Sequence, residues 1–406
     1  MPIPRLTLVA VAVTLAVPAT AQSADKAFNP AVSLILDGRY ADYDEEVFEL
    51  PGFQIGGEAG LPDKGFSLGH TELTMSANVD QLLYGEFTAA IEEGETEIEE
   101  AYIETLGLGG GLTLRGGRFF SGFGYLNDVH DHAQDFAQTP LVYQAMFGGH
   151  LGDDGVQARW IAPTPLYLEL GGELLAGRTF PGGDNEDGAE AGVLFARIGA
   201  DLGDSWNWRL GTSWYASDFE QREAGGHHHG DGGGDADNEL LDGEVDVAGL
   251  DAVFKWAPGG NATQRNLTLS AEYLVREESG EAEFSEDGNV GTADYDGEQT
   301  AWYFSAVYQW QPRWRAGLRY ERLSADNDLN DFTVESGTLD FDEFAEESGL
   351  GDGADPERAS LMVDYAPSEF SRFRVQYDRD DFGHDAEDRI YLQYTVSLGA
   401  HGAHGF

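Results

Sequence analysis

The stretch Thr300-Ala301-Trp302-Tyr303-Phe304-Ser305-Ala306-Val307-Tyr308-Gln309-Trp310, then Gln311-Pro312-Arg313, then Trp314-Arg315-Ala316-Gly317-Leu318-Arg319-Tyr320, decides the fold. Trp302, Phe304, Ala306, Tyr308 and Trp310 alternate with Tyr303, Ser305, Val307 and Gln309. Beyond the proline link, Trp314, Ala316, Leu318 and Tyr320 alternate with Arg315, Gly317 and Arg319. One face is aromatic and aliphatic and the other mostly polar. Successive side chains of a strand leave opposite faces, so this period of two predicts two strands joined by a tight turn. Ile390, Leu392, Tyr394, Val396 and Leu398 repeat the pattern near the end of the chain.

The same alternation predicts about sixteen strands between residues 31 and 400. The links between them alternate in length. Short ones lie near Asp80, Leu108, Pro163, Gly203, Pro258, Pro312 and Pro367; long ones at 42–66, 120–153, 178–190, 218–244, 278–298 and 325–356. Short turns on one rim and long loops on the other are the rhythm of a transmembrane antiparallel β-barrel. All eight Trp fall on the apolar parity, and Trp206, Trp208, Trp256, Trp310 and Trp314 sit beside short turns, where an interfacial aromatic girdle belongs.

Composition agrees with this reading. Of 406 residues, 74 are Asp or Glu and 23 Lys or Arg, a formal charge of −51. That balance excludes nucleic acid as a partner, since phosphate contacts need clustered cations. The absence of Cys removes disulfides and thiolate chemistry. Met1 to Ala21 reads as a signal peptide, with Arg5, an apolar run from Leu6 to Val17, and Ala19-Thr20-Ala21 as cleavage site. The remainder, 22–406, is expected to be one barrel in the outer membrane of a Gram-negative bacterium, in contact with lipid and lipopolysaccharide.

The hairpin Glu99-Glu100-Ala101-Tyr102-Ile103-Glu104 with Leu112-Thr113-Leu114-Arg115-Gly116-Gly117-Arg118-Phe119-Phe120-Ser121-Gly122-Phe123-Gly124, and the final Phe406, resemble bacterial outer-membrane porins, most closely the phosphate-selective porin superfamily. The chain also resembles short proteins labelled TonB-dependent or zinc-regulated outer-membrane receptors; residues 22–30 leave no room for the plug such receptors carry. The resemblance implies a channel for small polar solutes or ions, a homotrimer, and no enzymatic activity. A plug-less receptor, a surface adhesin or a barrel enzyme at the outer rim are the alternatives.

A sixteen-stranded barrel is wide enough for a water-filled channel. Segment 120–153 is the candidate constriction loop, presenting Asp128, His130, Asp131, His132 and Asp135. Lumen parity predicts an acidic arc of Glu72, Glu86, Glu100 and Glu104, set across the lumen from an arginine arc of Arg313, Arg315, Arg319, Arg358, Arg372 and Arg374. Such arcs would orient polar solutes. Loop 325–356, with eleven Asp/Glu and no Lys or Arg, is expected to form an acidic extracellular rim. Loop 218–244 holds His227, His228, His229 and Asp231, a candidate site for Zn²⁺ or another divalent cation; His130 and His132 are a second one inside the channel. No resident cofactor is expected.

Overall fold

The computed structural model describes residues 30–399 except 45–47, 57–58, 93–94, 184–187, 224–236, 287, 352, 354 and 384–385. Among the described residues, seventeen strand segments form one antiparallel sheet closed by pairing of its first and last members. They are β1 (Ala31–Asp42), β2 (Gly65–Leu68), β3 (Thr71–Asn78), β4 (Leu83–Glu92), β5 (Glu95–Thr105), β6 (Leu112–Phe120), β7 (Gly152–Ile161), β8 (Tyr167–Leu175), β9 (Ala191–Leu202), β10 (Trp206–Glu223), β11 (Asp237–Trp256), β12 (Asn266–Glu286), β13 (Asn289–Gln311), β14 (Trp314–Ser336), β15 (Glu357–Ser368), β16 (Ser371–Asp381) and β17 (Glu387–Gly399). β2 and β3 both pair with β1 and are two halves of one stave, so the barrel has the sixteen staves that the alternation predicts.

The outer surface is the apolar parity. Leu210, Leu250, Leu318, Leu361 and Leu392 lie on it among many other exposed apolar side chains. Aromatic pairs mark its lower edge: Trp206 with Trp256, Trp310 with Trp314, and Phe373 with Tyr394, all near short turns. Trp302 packs on Tyr320 eight residues up β13 from Trp310. Eight residues at about 3.3 Å each, on a strand tilted about 40°, rise roughly 20 Å. This is a bilayer-sized apolar band between two aromatic girdles.

Strands β10 to β14 are far longer than a bilayer needs. They run to 18, 20, 21, 23 and 23 residues, against the roughly 9–11 that span a bilayer. Segment 278–298, read from sequence as a long loop, is instead the upper part of β12 and β13, joined across 287–288. Residues 325–336, assigned to the acidic loop, belong to β14. The reason is an inversion of polarity with height. Above the membrane the outside of the wall meets water and the inside meets protein. Ala282, Phe284, Ala293 and Tyr295 are buried inward, while Glu281, Asp294 and Asp296 are exposed.

Loops pack into this tall mouth. Gly52 N–H donates to the Gly349 carbonyl (3.1 Å), and the Gly52 carbonyl accepts from Gln299 Nε2 (3.1 Å) and Asn327 Nδ2 (2.9 Å). Leu50, Phe53, Leu339, Phe344 and Leu350 are buried beneath.

Candidate functional site

Residues 121–151 leave β6 and fold into the lumen. Their one α-helix, α1 (Leu141–Phe147), is buried along its whole length. It is held at both ends in the sense its dipole favours. Leu141 N–H donates to Glu321 Oε2 (2.6 Å), and Arg276 Nη1 donates to the Ala145 carbonyl (2.9 Å). Gly148, at φ 68°, ends the helix in a left-handed turn that a side chain would strain.

Charged wall residues grip the backbone of this loop. On the β8–β12 side the loop's donors meet acceptors. Gly122 N–H reaches Glu173 Oε1 (2.8 Å), Gly124 N–H reaches Ser213 Oγ (3.0 Å), and Tyr125 N–H reaches Glu272 Oε2 (2.8 Å). Glu272 also accepts from Leu126 N–H (3.3 Å), Tyr143 OH (3.0 Å) and Tyr303 OH (2.8 Å). On the β14–β16 side the loop's carbonyls meet arginines. Arg319 donates to Gln138 O (3.0 Å), Arg374 to Gln134 O (3.0 Å) and Arg372 to His132 O (2.8 Å). A buried peptide group without a partner costs about 1–3 kcal/mol, so each contact matters for seating the loop.

This changes what the predicted lumen charges do. The two arcs exist and oppose each other in part: six staves lie between β14, with Arg315 and Arg319, and β5, with Glu100 and Glu104, one fewer than a diameter leaves, whereas only β17 and β1 separate β16 from the β2/β3 stave. The arginines are also paired within their own arc. Arg315 and Arg374 share Asp364, at 2.5 and 2.8 Å; Arg358 pairs with Asp380 (2.7 Å) and Arg319 with Glu321 (2.7 Å). Arg313 is exposed in the turn at the rim, at φ 96°, rather than on the wall. Glu104 binds Arg115 (3.0 Å) and Arg159 (2.7 Å), and Glu86 accepts from Tyr102 OH (3.0 Å). Toward the short-turn rim the lumen is looser: the Arg159, Arg315 and Asp135 side chains are 29, 27 and 36% exposed, and Arg315 reaches Asp135 at 2.6 Å.

The loop's own residues divide. Asp128 is exposed. Asp131 accepts from Gln134 Nε2 (2.9 Å) and Thr139 Oγ1 (3.0 Å) and lies 3.2 Å from His150 Nε2. Burial pushes the His150 pKa down, but the bond to Asp131, its charge, the Asn127 carbonyl and the Glu99 charge together outweigh it and hold the imidazole above its ordinary value. His130 and His132 turn to the β3–β5 wall. His130 Nε2 is 3.0 Å from Glu100 Oε2, and His132 Nδ1 is 2.5 Å from Glu72 Oε1. Two wall residues absent from the predicted site join them: His70, between β2 and β3, lies 2.7 Å from Glu99 Oε1.

Both newcomers are placed by β-bulges. From Gly38 to Ile35 is three steps on β1, but their partners Leu68 and Glu72 are four apart. From Thr88 to Ala89 is one step on β4, but their partners Glu100 and Ile98 are two apart. Each bulge inserts one residue and re-aims a side chain. His70 and Glu72 both come to face inward, as do the consecutive Glu99 and Glu100. The sequence signal was the break in parity between Ile98 and Ala101, both exposed and three apart. The loop containing His227, His228, His229 and Asp231 lies outside the described residues, as does segment 1–21.

No family model matches the chain. Its fold is shared with solved outer-membrane proteins. The in-vitro folded OmpT of Vibrio cholerae in its trimer form superposes with TM-score 0.51 at 12% identity, covering 91% of this chain and 99% of that one. The outer membrane channel DcaP of Acinetobacter baumannii gives 0.50 at 14% identity, over 91% and 96%. OprB of Pseudomonas putida gives 0.50 at 13% identity, over 92% and 95%. A relative in sequence is an uncharacterized protein of Aquifex aeolicus (strain VF5), 30% identical over 409 residues, which cover 94% of this chain and 81% of that protein. This chain, a sixteen-stave barrel of the porin type, belongs to the family of that Aquifex aeolicus protein.

Proposed function

We propose that the chain is an outer-membrane channel for small hydrophilic solutes and ions, with a lumen throttled by loop 121–151, and that divalent metal cations, zinc among them, are part of its traffic. The observation that carries the reading is the seating of this loop on the charged inner wall of a barrel wide enough to conduct. The interlocked mouth favours a gated pore over a permanently open one. The hairpin that resembles the phosphate-selective porins leads directly into the constriction loop, which supports a conducting role over a receptor role. The acidic outer wall would gather cations at the mouth and can share divalent ions with lipopolysaccharide. Assembly as a homotrimer belongs to the same proposal; one matched structure, OmpT, is a trimer form. The test is reconstitution in planar bilayers with ion selectivity measured with and without Zn²⁺. Stepwise, cation-preferring conductance supports the reading; an adhesin or a rim enzyme would leave the bilayer silent.

A further inference from the structure

We propose that His70, Glu72, Glu99 and His130 form a binding site for a borderline divalent transition cation, Zn²⁺ foremost, that staples the constriction loop to the barrel wall. Donor atoms of His70, Glu72 and Glu99 lie within 4.8 Å of one another, and all three residues are buried. The loop adds His130. Its Nδ1 lies 3.4 Å from Glu72 Oε2 and 3.5 Å from Glu99 Oε2.

Those two distances carry the argument. Zn–N and Zn–O bonds of about 2.0–2.1 Å in a tetrahedron set neighbouring donors about 3.3 Å apart. The pairs around His130 Nδ1 match that edge. They are longer than a good hydrogen bond: Glu99 Oε2 and His130 Nδ1 are both buried, and neither makes one of ordinary geometry. Glu99 is only 7% exposed, so bulk solvent does not reach this oxygen. Two buried polar atoms facing each other without a hydrogen bond are costly unless a third party sits between them.

The surroundings have the form that metal sites require. A ligating imidazole generally gives its other ring nitrogen to a carboxylate, which fixes the ring. His130 does this through Nε2 to Glu100. Glu72 is steadied in turn by His132. Phe120 packs against His130 with ring centroids 5.1 Å apart and gives the site an apolar flank. Charge points the same way. Glu72, Glu99 and Glu100 are buried together, and their ion-pair partners are the imidazoles of His70, His130 and His132. A dication taking the ring nitrogens would find three carboxylates at hand to offset its charge. Nitrogen and oxygen donors in a small buried shell select Zn²⁺ and its neighbours over Ca²⁺, which takes six to eight oxygens. Both bulges act on this one place, and without them neither His70 nor Glu99 would be positioned here.

The site stands on geometry alone; its consequence for permeation, that the cation holds the throttle shut, rests on the channel reading. The test uses the full chain refolded in detergent with His227, His228 and His229 changed to Ala, which removes the other imidazole cluster. Calorimetry with Zn²⁺ should show one equivalent bound per chain. Glu99→Gln and His130→Ala should each weaken it at least tenfold, and Glu100→Gln, one shell out, by about 10–100-fold. Exposed Glu97→Gln on the same strand should leave it unchanged. Co²⁺ added to the parent should give the intense visible bands of four-coordinate nitrogen–oxygen ligation, a readout that does not depend on a variant folding. Absence of those bands, or equal Zn²⁺ affinity in parent and folded Glu99→Gln, overturns the proposal. Silent bilayers with Zn²⁺ still bound would sink the channel reading and spare the site; conductance steps without Zn²⁺ binding would do the reverse.

Discussion

Glu272→Ala is the perturbation that most sharply tests how the throttle is held. The carboxylate receives four donors: the Tyr125 and Leu126 peptide N–H groups and the Tyr143 and Tyr303 hydroxyls. Three of them belong to the loop. Leu126 N–H keeps the Tyr143 hydroxyl as a second acceptor (3.2 Å), so the substitution strands two loop donors, Tyr125 N–H and Tyr143 OH. At about 1–3 kcal/mol for each stranded donor, seating weakens by about 2–6 kcal/mol. Against this stands the apolar burial of Leu141, Val142, Met146 and Phe147, roughly 6–12 kcal/mol at about 1.5–3 per side chain. The helix therefore stays docked while the neck at 124–128 comes loose. Even the low estimate is about one and a half decades in the equilibrium between seated and released neck. Single-channel recording should show a larger mean conductance and more frequent transitions than the unaltered chain. Limited proteolysis of the detergent-folded variant should cut within 124–130. Glu272→Gln keeps an acceptor oxygen and should fall between the two. A folded Glu272→Ala barrel with unchanged conductance and unchanged protease resistance would refute the reasoning.

Other outcomes follow from the same contacts. Arg315→Ala with Arg374→Ala strips both cations from Asp364, so the bilayer reversal potential should shift toward cation preference; an unshifted potential means these arginines lie off the path. Leu318→Arg places a charge on the lipid face between the two girdles and should cost about 2–4 kcal/mol of folding into vesicles, while Glu281→Arg above the membrane should cost nothing measurable in the same titration. Asn327→Ala removes the amide that ties the Gly52 and Leu350 carbonyls together, so the 43–64 loop should become cleavable by protease added from outside; full resistance would show that the buried Phe53 and Phe344 suffice.

The barrel was legible in the sequence because lipid enforces strict alternation over the membrane height. Trp302, Trp310 and Trp314 announce both the outward parity and the two girdles. Legibility failed where the outer solvent changes. Glu281, Asp294 and Asp296 read as loop because their outward positions are acidic, yet Phe284 and Tyr295 alternate with them just as regularly on the inside. The arcs stand nearly opposite at β5 and β14, but their near edges approach, because β17 closes on β1 and leaves only two staves between β16 and β2/β3. His130 and His132 were singled out from their spacing, but His70 and Glu99 were not, since a bulge breaks the very period by which inward positions are found. Glu173, Glu272 and Glu321 lay on lumen parity in plain view. Only the path of the loop reveals that they receive its peptide donors.

Single-channel recording of the unaltered, refolded chain beside a variant lacking 124–148 reads out whether the barrel conducts through a lumen narrowed by residues 121–151. Small steps are expected from the former and several-fold larger steps from the latter. Equal conductances, or silence from both folded proteins, would contradict a conducting, loop-narrowed barrel.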